Sequence, residues 1–333
     1  MNGSGAPEST GQGGAPYAVD PELPSGLPFD PAGTVVTVGT FDGMHRGHWA
    51  VLQEIRRRAV ATGRRSVLLT FDPHPLTVVR PDRAPLMLTT ATEKKEILAE
   101  SGLDFAVFLR FTQVLAAYPP ERFVEEILVR RLGVSELVVG HDHHFGRGRA
   151  GDAEMLQTIG AERGFTVDVV GPVGGDSGDS PVSSTRIREA ISQGDLRAAA
   201  AGLGRVYSMR GTVVRGEGRG HELGFPTANL RIQGERKLVP PPGIYAARGV
   251  LRRGTYEGAL HIGPRPTFPG SPPAVELHLM DFEGDLYGEE LRVDLVERLR
   301  DVLPFATVQG LIDQMQADVR RARDVLSREP ALS

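Results

Sequence analysis

The 333 residues carry 38 Lys and Arg against 42 Asp and Glu, with 40% hydrophobic and 24% charged residues. That balance is globular, sufficient for two ordinary domains, and lacks the positive excess that a nucleic-acid polyanion would need. Cysteine is absent, which excludes disulfides, thiolate metal sites and a cysteine nucleophile.

Residues 1–33 are rich in Gly, Pro and small polar residues; their charges are Glu8, Asp20, Glu22 and Asp30, all acidic. They are expected to form a flexible tail. No apolar run is long enough to span a membrane and no basic-then-apolar leader begins the chain, so a cytoplasmic protein is expected. The β-branched run Thr34–Val38 reads as a buried strand and leads into Val38–His48, VGTFDGMHRGH. A strand delivering a tight glycine turn into a helix N-terminus is suited to nucleotide phosphates, and His45 and His48 point the same way. Zinc takes three or four ligands and finds no thiolate here, so a structural zinc is disfavoured.

A helix follows over His48–Thr62, with Trp49, Leu52, Ile55 and Ala59 on one face. Further strand-like runs (Ser66–Phe71, Phe105–Leu109, Glu136–Val139 and Thr166–Val170) alternate with helical stretches such as Glu121–Leu132. This alternation predicts a parallel sheet covered by helices, with ligands at the carboxyl ends of its strands. Three loops lie at such ends. Pro73 and His74, in FDPHP, frame a pocket or a plain turn. The run Gly140–Gly146, with His141, Asp142, His143, His144 and Phe145, suits a metal and a pocket wall equally. In Ser183-Ser184-Thr185-Arg186-Ile187-Arg188 the hydroxyls cap a helix or hold phosphate, and Arg188 offers a donor fork to pyrophosphate.

A Gly/Pro/Asp/Ser loop spans Gly171–Pro181, and an alanine-rich helix over Asp195–Ala201 reads as a link. Beyond it come short strands at Val206–Val214, Gly243–Leu251, Thr255–Ile262, Val275–Asp281 and Leu291–Leu299, with no helical pattern between them. These predict a small antiparallel barrel closed by an amphipathic helix, Val308–Leu326. The domain limits are then 34–192, a linker 193–204, and 205–328, with tails at 1–33 and 329–333. Gly216, Gly218 and Gly220 let backbone amides approach phosphates without forming a Walker loop. Thr227 and Asn229 are hard oxygen donors on one side of an extended segment, which suits magnesium. Glu276 lies on an alternating strand, where most glutamates simply face solvent.

The four N-terminal segments resemble, in order and spacing, the adenylylation module of the bacterial bifunctional riboflavin kinase/FAD synthetases. From Gly216 to Asp281 the chain resembles their riboflavin kinase module. The marks there are Pro-Thr-Ala-Asn at 226–229, Pro242-Gly243-Ile244-Tyr245, Ile262-Gly263-Pro264-Arg265-Pro266-Thr267-Phe268 and Glu276-x-His278. The resemblance covers residues 34 to 328. It implies an α/β plus β chain, a Rossmann-like nucleotidylyltransferase domain followed by a β-barrel. It also implies that riboflavin is phosphorylated to FMN and FMN adenylylated to FAD, with ATP as co-substrate and Mg2+ in both steps.

On that resemblance His45, His48, Arg188 and the general base Glu276 are catalytic. Gly39, Phe41, Asp42, Gly43, Ser183, Ser184, Thr185 and the three barrel glycines contact ATP and its phosphates. Pro73, His74, Asp142 and Phe145 form the flavin pocket, and Thr227 and Asn229 hold the metal. His143 departs from the pattern, since an aromatic residue is the commoner occupant. Partners would be riboflavin, FMN and ATP, with no nucleic acid or membrane, and the chain a monomer or weakly self-associating. The division of labour makes chemical sense. FMN's phosphate is already an anionic nucleophile, whereas riboflavin's 5′-hydroxyl needs a base. A flavin-binding regulator would have no use for Glu276, and a cytidylyltransferase acting on a small phosphorylated alcohol would explain only residues 34–192.

Overall fold

A computed structural model describes residues 26–140, 153–171, 181–216, 218–234, 236–264 and 274–329. The expected pocket residues Asp142, His143 and Phe145 lie outside these, as do the run 265–268 and most of the N-terminal tail. Strand β1 (Thr34–Val38) is buried along its whole length and is the middle of a five-stranded parallel sheet. Its neighbours are β2 (Arg65–Asp72), β3 (Phe105–Arg110), β4 (Val134–Gly140) and β5 (Thr166–Val170), in the order β3-β2-β1-β4-β5. Successive side chains of β1 serve opposite faces. Val35 packs with Leu52, Ile55 and Ala59 of helix α1 (Arg46–Thr62), while Val36 and Val38 pack with Leu69, Phe123 and Ile127. Strands β1 and β2, covered on both faces over most of their length, read as near-continuous runs of β-branched and apolar residues.

Among the described residues, the remaining α-helices of this half are α2 (Pro75–Val79), α3 (Ala91–Ala99), α4 (Gln113–Ala116), α5 (Pro120–Phe123), α6 (Ala153–Arg163) and α7 (Ser184–Gln193). The expected helix Glu121–Leu132 is divided: after α5 the chain winds as a π-helix over Val124–Val129, with the wider Arg130 N to Glu125 O bond. Helix α3 was not anticipated, although its Thr90–Glu93 capping box is present in both directions. The strand order reverses beside β1, so the crevice outside its carboxyl end is the switch point of the sheet. The turn 38–48 stands there.

The second half is a closed antiparallel barrel in the order β10-β7-β6-β11-β8-β9. Its strands are β6 (Tyr207–Val214), β7 (Ala228–Ile232), β8 (Gly243–Leu251), β9 (Gly254–Gly263), β10 (Ala274–Leu279) and β11 (Glu290–Arg300). Strand β7 and a short helix α9 (Arg219–Glu222) correct the expectation of strands without helical interruption. Helix α8 (Leu196–Leu203) separates the halves but is no free linker, because Leu196, Ala199 and Leu203 share a core with Met209, Leu260 and Val293 of the barrel. The last helix, α10 (Val308–Arg328), sets Ala322 and Leu326 against Ala246 and Leu299 of the barrel.

Candidate active sites

The turn after β1 is built from strained backbone. Phe41 and Met44 have φ of 46° and 45° beside Gly43 at 81°, a region non-glycine residues rarely occupy without tertiary restraint. The restraint is Asp42. Its buried carboxylate accepts from Leu88 N (3.0 Å), Thr89 N (3.0 Å), Thr89 Oγ1 (3.1 Å) and Arg188 Nη2 (2.6 Å). Arg188 Nε donates to Leu86 O at 2.8 Å. Asp42 and Arg188, both expected at the phosphates, therefore engage each other. With four donors on its carboxylate, Asp42 holds the turn in place.

His45 caps α1, its Nδ1 accepting from His48 N at 3.3 Å, which leaves Nε2 as the donor. The two imidazoles are stacked with centroids 3.6 Å apart, and Phe41 lies 4.7 Å beyond His48. Gly47 permits this closeness, since a Cβ there would stand 3.1 Å from the His45 ring. Buried Lys94 donates to Thr40 O at 2.7 Å. Burial lowers the His48 pKa well below the ordinary value, helped by His45, Lys94 and Arg205. His48 Nδ1 is buried with no hydrogen-bond partner. Two cations, Lys94 and Arg205, thus stand near a pair of neutral imidazoles.

The other predicted residues of this half are placed around the same turn. Ser184 Oγ donates to Asp42 O at 2.9 Å, Ser183 caps α7 and Thr185 is exposed. Gly39 accommodates the Phe41 ring, 2.8 Å from where a Cβ would stand. Pro73 follows a cis peptide bond, and His74 Nδ1 accepts from Leu76 N at 3.2 Å, capping α2. Burial lowers His74 to about 4, from an ordinary 6.5.

These two histidines have a consequence for stability. Both are neutral when folded, so below about pH 6.5 the unfolded chain binds protons that the folded chain does not. Stability therefore rises with pH through this window and is lost as pH falls, by at most about 1.4 kcal/mol per pH unit for each. Urea unfolding should show a lower midpoint at pH 5.5 than at 7.5. His74→Asn, which keeps a capping acceptor, should shrink that difference.

In the barrel, one deep cleft of about 870 Å³ brings together Gly216, Gly218, Gly220, Thr227, Asn229 and Glu276. Glu276 lies opposite Asn229 of β7 on one side and His261 of β9 on the other. His261 Nε2 stands 3.1 Å from Pro264 O, which can only accept, so Nε2 carries a proton. Nδ1 then faces Glu276 Oε2 at 3.6 Å. The glycines have a steric reason. At Gly216 a Cβ would stand 2.3 Å from the Asn229 amide nitrogen, and at Gly220 it would stand 2.9 Å from Thr227 Oγ1. Gly216→Ala should accordingly displace Asn229 and slow any barrel reaction roughly 10- to 100-fold, while reactions of the other half, assayed separately, keep their rate.

One wall of the cleft was not foreseen. Leu311, Met315 and Val319 of α10 line it with Leu303 and Phe305, an apolar wall suited to a flat ring system. Asp318 of the same helix is pinned to Arg300 of β11 by bonds of 2.8 and 2.5 Å. In sequence these residues show only as the apolar face of an amphipathic helix.

A nucleotide-ready turn at the switch point of a parallel sheet, joined to a closed barrel with a carboxylate in its cleft, defines a two-site transferase. Residues 28–186 match the FAD synthetase family and residues 203–326 the riboflavin kinase family. The chain is 39% identical to a bifunctional riboflavin kinase/FMN adenylyltransferase of Pseudomonas fluorescens, over 87% of this chain and 92% of that one. It is 37% identical to the protein of that name in Escherichia coli K12, over 88% and 92%. It belongs to the bifunctional riboflavin kinase/FMN adenylyltransferase family. A crystal structure of a macrolide-efflux protein from Streptococcus pneumoniae superposes with a TM-score of 0.79 at 30% identity, covering 89% of this chain and 95% of that one. That likeness bears on the fold; among the described residues no helix is long and apolar enough to cross a membrane.

Proposed function

We propose that the barrel phosphorylates riboflavin with ATP and that the parallel-sheet half transfers AMP from a second ATP to the FMN so made, releasing pyrophosphate. Residues 34–192 and 205–328 are the two working units, and the reading puts the protein in the cytoplasm. The observation that carries it is the contrast between the sites. The cleft has a carboxylate, Glu276, paired across from Asn229 and lining one cavity with Thr227, whereas the turn has stacked imidazoles and a buried lysine, and its carboxylate, Asp42, is taken up by four donors.

In the barrel, Glu276 accepts the proton of riboflavin's 5′-hydroxyl as that oxygen attacks the γ-phosphorus. The apolar wall of α10 takes the isoalloxazine ring, so the ribityl chain reaches toward Glu276. The glycines between β6 and β7 admit the phosphates to Thr227 and Asn229. These two residues fit Mg2+ by donor type and by the glycine clearance around them, and the ion when bound neutralises charge on the transferring phosphates. In the other half the FMN phosphate attacks the α-phosphorus unaided by a base. His45 and His48 hold the polyphosphate, Ser184 and Arg188 fix the turn, and Lys94 adds positive charge behind it. Pro73 and His74 stand at the neighbouring strand end as part of the flavin's wall.

Incubating the purified protein with riboflavin, ATP and magnesium and separating the products tests the whole reading. FMN followed by FAD and pyrophosphate is expected; no flavin nucleotide would overturn it and leave a flavin binder.

A further inference from the structure

The loop and first helical turn over residues 86–94 lie between the two halves and are held from both sides. On the nucleotide side, Leu88 N and Thr89 N donate to Asp42, Thr89 Oγ1 accepts from Gly43 N at 3.1 Å, and Lys94 reaches Thr40 O. On the barrel side, Met87 N donates to Arg236 O at 2.7 Å and Met87 O accepts from Leu238 N at 2.9 Å. Between them stands Lys237, whose side chain is 1% exposed. Its three ammonium protons meet Glu93 Oε2 (2.7 Å), Leu88 O (2.7 Å) and Ser208 O (2.8 Å), one on the first turn of α3, one on the loop and one on β6. Glu93 also accepts from Arg210 N of β6 at 3.0 Å. Arg205, immediately before the barrel, donates to Gly43 O at 2.8 Å and Met44 O at 3.0 Å, the residues that lead into His45.

A buried ammonium with every proton placed ties the loop, the first turn of α3 and β6 together. The strained turn at Phe41–Met44 is thus clamped by groups from the other half of the chain. We infer that the barrel is a working part of the adenylyl-transfer site, with Lys237 and Arg205 as positioning residues that hold the Asp42–His48 turn directly and through residues 86–94. The inference rests on the adenylyl transfer assigned above. It adds that neither residue touches a nucleotide and that neither serves the barrel's own reaction, since both lie outside the Glu276 cleft.

The test uses the full chain, with FMN formation from riboflavin and FAD formation from supplied FMN assayed separately. Lys237→Met and Arg205→Ala should each slow FAD formation roughly tenfold or more through a lower kcat, with FMN formation within about twofold of the parent. Arg205→Lys, which keeps a donor and the charge, should recover part of the loss. Arg205 is only half-buried and its replacement leaves the core intact, so it decides the matter should Lys237→Met fail to fold. FAD formation unchanged in Arg205→Ala, or both activities falling together, would overturn the inference. Failure of the parent protein to make FAD from FMN would instead sink the underlying reading.

Discussion

Glu276→Ala is expected to abolish FMN formation, by roughly 10²- to 10⁴-fold, while supplied FMN is still converted to FAD. The effect should be this large because the alcohol nucleophile has no charge of its own and Glu276 is the carboxylate set directly across from Asn229 in the cleft. Glu276→Gln should be as damaging, since it keeps size and polarity and removes only the ability to take a proton. Loss of FAD formation from supplied FMN in either variant would contradict the division of labour between the halves. Separate chromatographic assays of the two products decide it.

Replacement of His48 should give the opposite pattern, with FMN accumulating from riboflavin and FAD formation falling by roughly 10²- to 10³-fold. His48 is sandwiched between Phe41 and His45, its Nδ1 is unsatisfied, and cations surround it. An incoming polyphosphate resolves that arrangement by supplying counter-charge and acceptors. His48→Ala removes both the stack and the nitrogen. His48→Phe keeps a ring in the stack and is expected to lose nearly as much activity, which separates donation from packing. FAD output equal to that of the parent in His48→Phe would sink the role given to this turn.

Much of this was legible along the chain because the relevant signals are local. Thr34–Val38 is a continuous β-branched run, buried because both faces of β1 are covered, and the histidines of the next turn are three residues apart. Glu276 and Thr227–Asn229 stood out through the motif around them. What stayed hidden depends on distant partners. Asp42 and Arg188 are 146 residues apart, so nothing local could show that they engage each other. Lys237 reads as an ordinary charged residue until Glu93, 144 residues earlier, is folded against it. Leu311 and Met315 obey the same periodicity as any core face, and only the tertiary structure turns them toward a cleft. The capping box of α3 and the alternating run of β7 were local signals that could have been read.

The barrel's strands are joined unevenly. Between β8 and β9 nine residue pairs face each other, whereas among the described residues β10 and β7 share two, Glu276 with Asn229 and Leu277 with Ala228. The shortest seam of the barrel is thus the one that carries the carboxylate and a metal-binding candidate. A joint with so few pairs is expected to open more readily than the long β8–β9 seam, with its backbone amides exchanging sooner with solvent. Nucleotide and flavin filling the cleft act as a rivet across that seam. The ligand-dependent protection of these few amides is then a direct gauge of whether the kinase site is loaded.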